Sequence, residues 1–417
     1  MKLETFAGTF AERAFRRPLS DELKLRFVTR PFAEAPDDDT GLKRSLLAVL
    51  SSPRFLYRRP PAPGQASDDF DVADRLALGL WASMPDRTVQ EAAARGQLHE
   101  PAQVRRQAER MVADARLRAK LRDFLFDWLR VADPPEMVKD ASLDVIFTPE
   151  VVSDLRTSLE LQIADVLDRE PHDFRRLFTN DSVPLNSRLS PLFNATPGPS
   201  TGFRPVRIDG GRRAGVLTHP YLMSLLSYAS SSSPIHRGVF VSRGLLGNIL
   251  RPPEEAVTPL APDLHPDLST RERVSLQTSP VDCTTCHSMI NPLGFALEEF
   301  DAVGRYRTVE RRGAIDKPID ASGMYQPREG NAVAFDGARA LAEYVAASRD
   351  AHEAFVQDLF HFLVKQPVRA WGPEALEGLV HSFESSDCDM RRLVVDSMVL
   401  AVQLPAALAG GGEPGPP

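Results

Sequence analysis

Five consecutive residues constrain this chain more than any others. Cys283, Thr284, Thr285, Cys286 and His287 spell C-x-x-C-H, the spacing at which c-type haem is attached. Two of the three cysteines in the 417-residue chain stand there. For both thiols and the imidazole to reach one object the segment has to be helical, because residues i, i+3 and i+4 then share a face. Pro280 and Asp282 predict the start of that helix, with the Asp side chain as capping acceptor, and Asn291-Pro292 predicts its end about two turns on.

On such a helix Cys283 and Cys286 would carry two thioether bonds and His287 would approach the iron as proximal ligand. The spacing also suits a redox dithiol or half of a zinc site. A dithiol is expected in a βαβ setting, and zinc would have to recruit Cys388, His219 or His236 to complete a tetrahedral set. The sixth position of a haem iron takes a methionine, a histidine or nothing. Met289 lies about 200° around the helix from His287 and points away. Met324, in Ser322-Gly323-Met324-Tyr325-Gln326, is the best downstream methionine, with an ordinary apolar role as the alternative. His219 and His236 are the upstream candidates. Arg305 and Arg307 would pair with haem propionates through charge-assisted bonds; pairing with Glu298, Glu299 or Asp301 is the competing use. Cys388 reads as a buried small residue. The serines from Ser230 to Ser233 form no recognisable catalytic signature.

Composition narrows the class. Apolar residues make up 42% and charged residues 26%, so a packed fold is expected rather than disorder. A net charge of −7 and dispersed basic residues argue against a nucleic-acid partner. No apolar run reaches the length of a membrane-spanning helix. The opening Met1-Lys2-Leu3-Glu4-Thr5 lacks the apolar core of a secretory signal, whereas attachment of haem to C-x-x-C-H takes place outside the cytoplasm. Either the protein is exported, periplasmic or at the cell surface, and its N-terminus here is truncated, or the haem reading fails.

Helical periodicity dominates, and the chain is expected to be mainly α. Residues 1–58 read as an N-terminal module of two amphipathic helices joined by the acidic turn at Asp37 to Asp39. A Pro-rich linker from Arg59 to Gly64 follows. Residues 68–250 read as a central helical module, with an amphipathic pattern over Pro101 to Trp128, a helix over Pro149 to Asp168 and a Pro-, Gly- and Arg-rich loop near Pro197 to Gly215. After a second Pro-rich connector within 251–267, residues 251–310 read as a small cytochrome-like unit around the motif. Residues 311–404 read as a small hairpin and two terminal helices, and residues 405–417 as a flexible tail.

Several motifs in fixed order carry a resemblance. Ala14-Phe15-Arg16-Arg17-Pro18, Ser52 to Tyr57, Asp74-Arg75-Leu76, Leu80 to Asp86, Arg213 to Thr218 and Ser233 to Gly238 stand upstream of Cys283 to His287. Asn291 to Glu298, Phe300 to Arg307, Asp320 to Gly323 and Phe335 to Gly337 follow it. In these the chain resembles multi-module proteins of unknown function from planctomycetes and myxobacteria that carry a cytochrome-like C-x-x-C-H. That resemblance implies export and further upstream modules, and it names no reaction.

The expected function is electron transfer through one covalent haem c to or from an unidentified redox partner protein, rather than stand-alone catalysis. A peroxidase-like haem enzyme with an open sixth position is one alternative. A haem-free interaction module with a Cys283–Cys286 disulfide is the other.

Overall fold

A computed structural model describes residues 2–57, 67–143, 147–196, 202–250, 267–312 and 315–403. The expected Arg59 to Gly64 linker, nearly all of the second Pro-rich connector and the terminal tail lie outside these residues. Helices dominate, as periodicity predicts, and the strands are short. The chain divides into two compact units, Met1–Lys120 with Phe360–Leu379 and Val394–Pro417, and Leu121–Leu359 with Val380–Leu393.

In the first unit the N-terminal segment holds three principal helical stretches rather than the two expected. The helix Lys2–Phe15 ends where Arg16 takes a left-handed conformation (φ 59°) and Pro18 follows, and Ser20 then caps a new stretch over residues 21–33. Asp37 caps the third, Asp38–Leu50. Ala7, Ala11, Ala14, Phe15, Phe27 and Val49 close this small core. The helix Asp69–Trp81 opens with a reciprocal Asp68–Asp71 capping box, and both carboxylates also hold Arg17, while Arg16 Nε donates to Asp74 at 2.7 Å. Two of the motifs quoted above, Ala14 to Pro18 and Asp74-Arg75-Leu76, therefore meet as an ion pair. The Pro101 to Trp128 pattern breaks into Pro101–Val112 and Ala115–Trp128.

The second unit contains the helix Pro149–Asp168 at the bounds its sequence suggests, burying Val151, Leu155, Leu159, Ile163 and Val166 along one stripe. Trp128, Phe174, Phe178, Phe355 and Phe383 form an aromatic cluster with edge-to-face and tilted contacts. Among the described residues three two-stranded antiparallel sheets stand where one small hairpin is expected: β1 (Ser182–Leu185) with β2 (Arg204–Arg207), β3 (Val309–Arg312) with β4 (Ile315–Pro318), and β5 (Ser322–Tyr325) with β6 (Val333–Asp336). They are four-residue strands, too short for alternation to stand out from surrounding loop.

The motif helix runs Val281–Phe295 and packs between the helix Pro234–Val239 and β5. It does not stop at Asn291-Pro292. A Cβ on Gly238 would lie 2.1 Å from the Ile290 carbonyl oxygen, and one on Gly294 would lie 1.9 Å from that of Pro234. Only paired glycines allow the two backbones this approach. With Leu293 and Phe295 buried beside them, tertiary packing carries the helix past a proline that local rules read as its end.

Candidate functional site

The motif helix begins at Pro280, whose carbonyl oxygen accepts from Cys283 N and Thr284 N at 2.9 and 3.1 Å. Asp282 sits in the first turn without capping it, so its carboxylate acts on the helix dipole instead of on an orphan N–H. Cys283, Cys286 and His287 are all partly exposed, and all three cysteines of the chain are free thiols.

A chain of hydrogen bonds orients the imidazole. Thr278 Oγ1 donates to the Val274 carbonyl at 2.7 Å, which spends its only hydrogen. It must therefore accept from Asn291, whose Nδ2 lies 2.8 Å away. That turns the Asn291 carbonyl oxygen toward His287 Nδ1 at 2.9 Å, and an amide oxygen can only accept. The proton of neutral His287 consequently sits on Nδ1. Nε2 is left with its lone pair and no hydrogen-bond partner among the described residues.

His287 lines an open cleft of ≈ 340 Å³ together with Arg271, Thr278, Pro292, Phe295 and Met324. Met324 comes from β5, nearly forty residues downstream. Its neighbour Tyr325 is buried and receives Asn248 Nδ2 on its hydroxyl at 2.8 Å. Strand alternation then turns Met324 outward, where its side chain is 64% exposed. Val281, at the head of the motif helix, is likewise 84% exposed.

Arg305 and Arg307 are placed elsewhere. Arg305 Nε meets Asp301 at 2.7 Å and its Nη2 donates to the Leu143 carbonyl at 3.0 Å. Arg307 Nη2 donates to Ser232 Oγ and Glu298 at 2.9 and 3.2 Å. Neither arginine lines the cleft; their fork geometry is committed to carboxylates of the turn that follows the motif helix. Arg271 is the arginine that reaches the cleft, and nothing in its local sequence distinguished it from other helical arginines.

That turn is held from inside by two buried arginines. Arg237 is fully buried, 3.3 Å from Glu298, and donates to the carbonyls of Leu297, Phe300 and Asp301 at 2.8, 2.6 and 2.8 Å. Burial lowers its pKa to about 10 although Glu298 opposes the shift. Arg213 donates to Asp209, to the Thr218 carbonyl and to the Gly304 carbonyl, the last at 2.8 Å. The Arg213 to Thr218 and Ser233 to Gly238 motifs thus serve to clamp the Leu297 to Gly304 turn.

Two other candidate histidines, His219 and His236, and the third cysteine have structural partners. His219 Nδ1 accepts from Tyr221 N at 3.2 Å, so Nε2 carries the proton and faces Ser158 Oγ at 3.1 Å. Burial drives its pKa down to about 3. With both nitrogens used, it is no sixth ligand. His236 packs against the Tyr228 ring at 5.1 Å. Cys388 is buried beside His352, and desolvation raises its thiol to about 11. Among the described residues no group of three or more His, Cys, Asp or Glu converges as a metal-binding set.

Fold and site together describe a mainly helical protein with a C-x-x-C-H helix set beside an open cleft, and no helix among its described residues is long and apolar enough to cross a membrane. Segment by segment it is similar to known families. Residues 2–59 match PSD5, a protein of unknown function (DUF1595), residues 68–194 match PSD4 (DUF1592), and residues 213–310 match PSCyt3 (DUF1588), both also of unknown function. Three different family models are thus matched in series along the chain. The third segment contains Arg213, Arg237, the motif and Glu298. No curated protein and no solved structure matches the chain.

Proposed function

We propose that this chain is an exported electron-transfer protein carrying one haem c, held through Cys283 and Cys286 with His287 as axial ligand. The observation that carries the reading is the Thr278–Asn291–His287 relay, which leaves an unprotonated Nε2 at a cleft that Met324 shares. Metal-binding histidines are oriented by the bond their other nitrogen donates, and here that bond is supplied before any metal arrives.

The residue types fit the group: His287 and Met324 line the cleft, and Cys283 and Cys286 stand on the same helix as His287, outside that lining. Two free thiols stand at the attachment spacing, and each would add its S–H across a vinyl group, sulfur to one carbon and hydrogen to the other, with no net oxidation. The exposed side chains of Val281 and Met324 are apolar surface that a macrocycle would cover. When bound, the haem supplies one-electron chemistry at its iron. The residues that would hold it are Cys283 and Cys286 through their sulfurs, His287 through its Nε2 and Met324 through its thioether. Phe295, Leu297 and Phe300, buried behind the motif, would limit the approach of water from that side.

The test is pyridine haemochrome spectroscopy on denatured protein, produced with an added export signal in a host that matures c-type cytochromes. Haem that stays attached in the parent chain and is lost when Cys283 and Cys286 become Ser supports the reading. A colourless chain beside a correctly matured control cytochrome overturns it and favours a haem-free interaction module.

A further inference from the structure

We infer that Arg271 is the positioning residue for the anionic edge of the group held at Cys283, Cys286 and His287, its Nη2 receiving a haem propionate. The inference rests on the haem reading above. It differs from the sequence expectation, which gave that task to Arg305 and Arg307.

Arg271 is the one arginine or lysine among the described residues lining the cleft. Its guanidinium lies over the Phe295 ring, 4.5 Å from the centroid, and Phe295 is itself part of the cleft wall. Nη1 donates to the carbonyl oxygens of Asp320, at 2.9 Å, and Ser322. Nε lies 3.3 Å from Asp320 Oδ2. Stacking fixes the plane and these contacts fix its rotation, yet Nη2 is left with no partner among the described residues. The nearby Lys317 is not equivalent, since its ammonium is spent on Glu272 at 2.7 Å.

A guanidinium held in place before its ligand arrives loses little side-chain freedom on binding, and a planar N–H donor matches a carboxylate oxygen. The anchoring also links the two sides of the cleft. Arg271 stands in the helix Thr270–Gln277 and grips the start of β5, two residues before Met324. One side chain would then place the propionate and steady the strand that offers the thioether.

The experiment compares the mature haem protein with its Arg271→Gln and Arg271→Lys variants. Pyridine haemochrome and far-ultraviolet circular dichroism establish haem content and fold. The readouts are the midpoint potential and the propionate bending mode in the resonance Raman spectrum. Gln removes a positive charge near the iron and favours its more positive oxidised state, so the potential falls and the propionate mode shifts; Lys keeps the charge and stays near the parent value. Both variants matching the parent in potential and propionate mode, with haem attached, would overturn the inference while leaving the haem reading intact. Equal losses in Gln and Lys would also overturn it, because they would mark Arg271 as a hairpin anchor only. If Arg271→Gln fails to fold, the parent and Lys spectra decide: a propionate mode at the frequency of a free carboxylate in the parent defeats the proposal. A parent chain that takes up no haem defeats both readings together.

Discussion

Arg237 and Glu298 face each other at 3.3 Å with both side chains out of the solvent's reach. The pair joins the Pro234–Val239 helix to the turn that leaves the motif helix, and it is completed by Ser232 and Arg307. A buried charge is tolerated only while its partners are present.

Arg237→Ala would leave the Glu298 carboxylate beside a void and strip several carbonyls of their donor. We expect a loss of about 3–5 kcal/mol of stability, the range for breaking a buried pair by removing one partner. Urea denaturation followed by circular dichroism measures it. Arg305→Ala, which removes a partly exposed i,i+4 contact with Asp301, should cost about 1 kcal/mol or less.

Asn291→Leu keeps the approximate volume but removes the acceptor at His287 Nδ1. The ring then loses its preferred tautomer, which nitrogen-detected NMR of the haem-free chain reads as a mixture in place of one Nδ1-protonated form. Under the haem proposal, His287 would become a poorer donor and the reduction potential would rise. Loss of such an oriented partner typically weakens metal affinity about 10–100-fold. A single unchanged tautomer in the variant would show that the relay does not orient the ring.

Met324→Ala tests the far side of the cleft. With Met324 as sixth ligand, the parent resists carbon monoxide and shows the charge-transfer band of a methionine–ferric bond. The variant loses the band and binds carbon monoxide at least tenfold more tightly. A parent that already binds carbon monoxide as readily as the variant points instead to an open sixth position and peroxidase-like chemistry.

In the first unit, Asp74 is pushed up to about 6, chiefly by burial, although Arg16 pulls in the other direction. Arg16 bonds one carboxylate oxygen at 2.7 Å, and the other, Oδ1, is buried without a partner. Between the unfolded value near 4 and the folded value near 6 the native state binds the extra proton. The contribution of Asp74 to stability is therefore fully present below about pH 4 and is lost as pH rises through 6, to a total of about 3 kcal/mol at most. Urea midpoints measured from pH 4 to 8 should fall across that window, and Asp74→Asn should remove that part of the slope.

How much of this was legible beforehand can be judged from particular residues. The mainly α class and the helix Pro149–Asp168 followed from periodicity, because a buried stripe at 3.6-residue spacing is a local property. So did a helix under Cys283, Cys286 and His287, although of the three only His287 lines the cleft. The extension of that helix beyond Pro292 was not local: it depends on Gly294 meeting the Pro234 backbone, sixty residues earlier. Arg271 and Met324 stand 53 residues apart and meet the same cleft only through tertiary folding. Arginines read as surface charge by type, and it took the turn at Leu297 to Gly304, with its inward carbonyls, to make Arg213 and Arg237 interior residues. The sequence by itself determined which groups could do chemistry here and that they would stand on one helix, because both depend on residue type and short-range geometry. The free nitrogen of His287 follows from Asn291 four residues on and Thr278 nine residues before it, and Met324, singled out from sequence, shares the cleft; which arginine attends that cleft was decided by contacts between distant segments, whose hydrogen bonds no local pattern encodes.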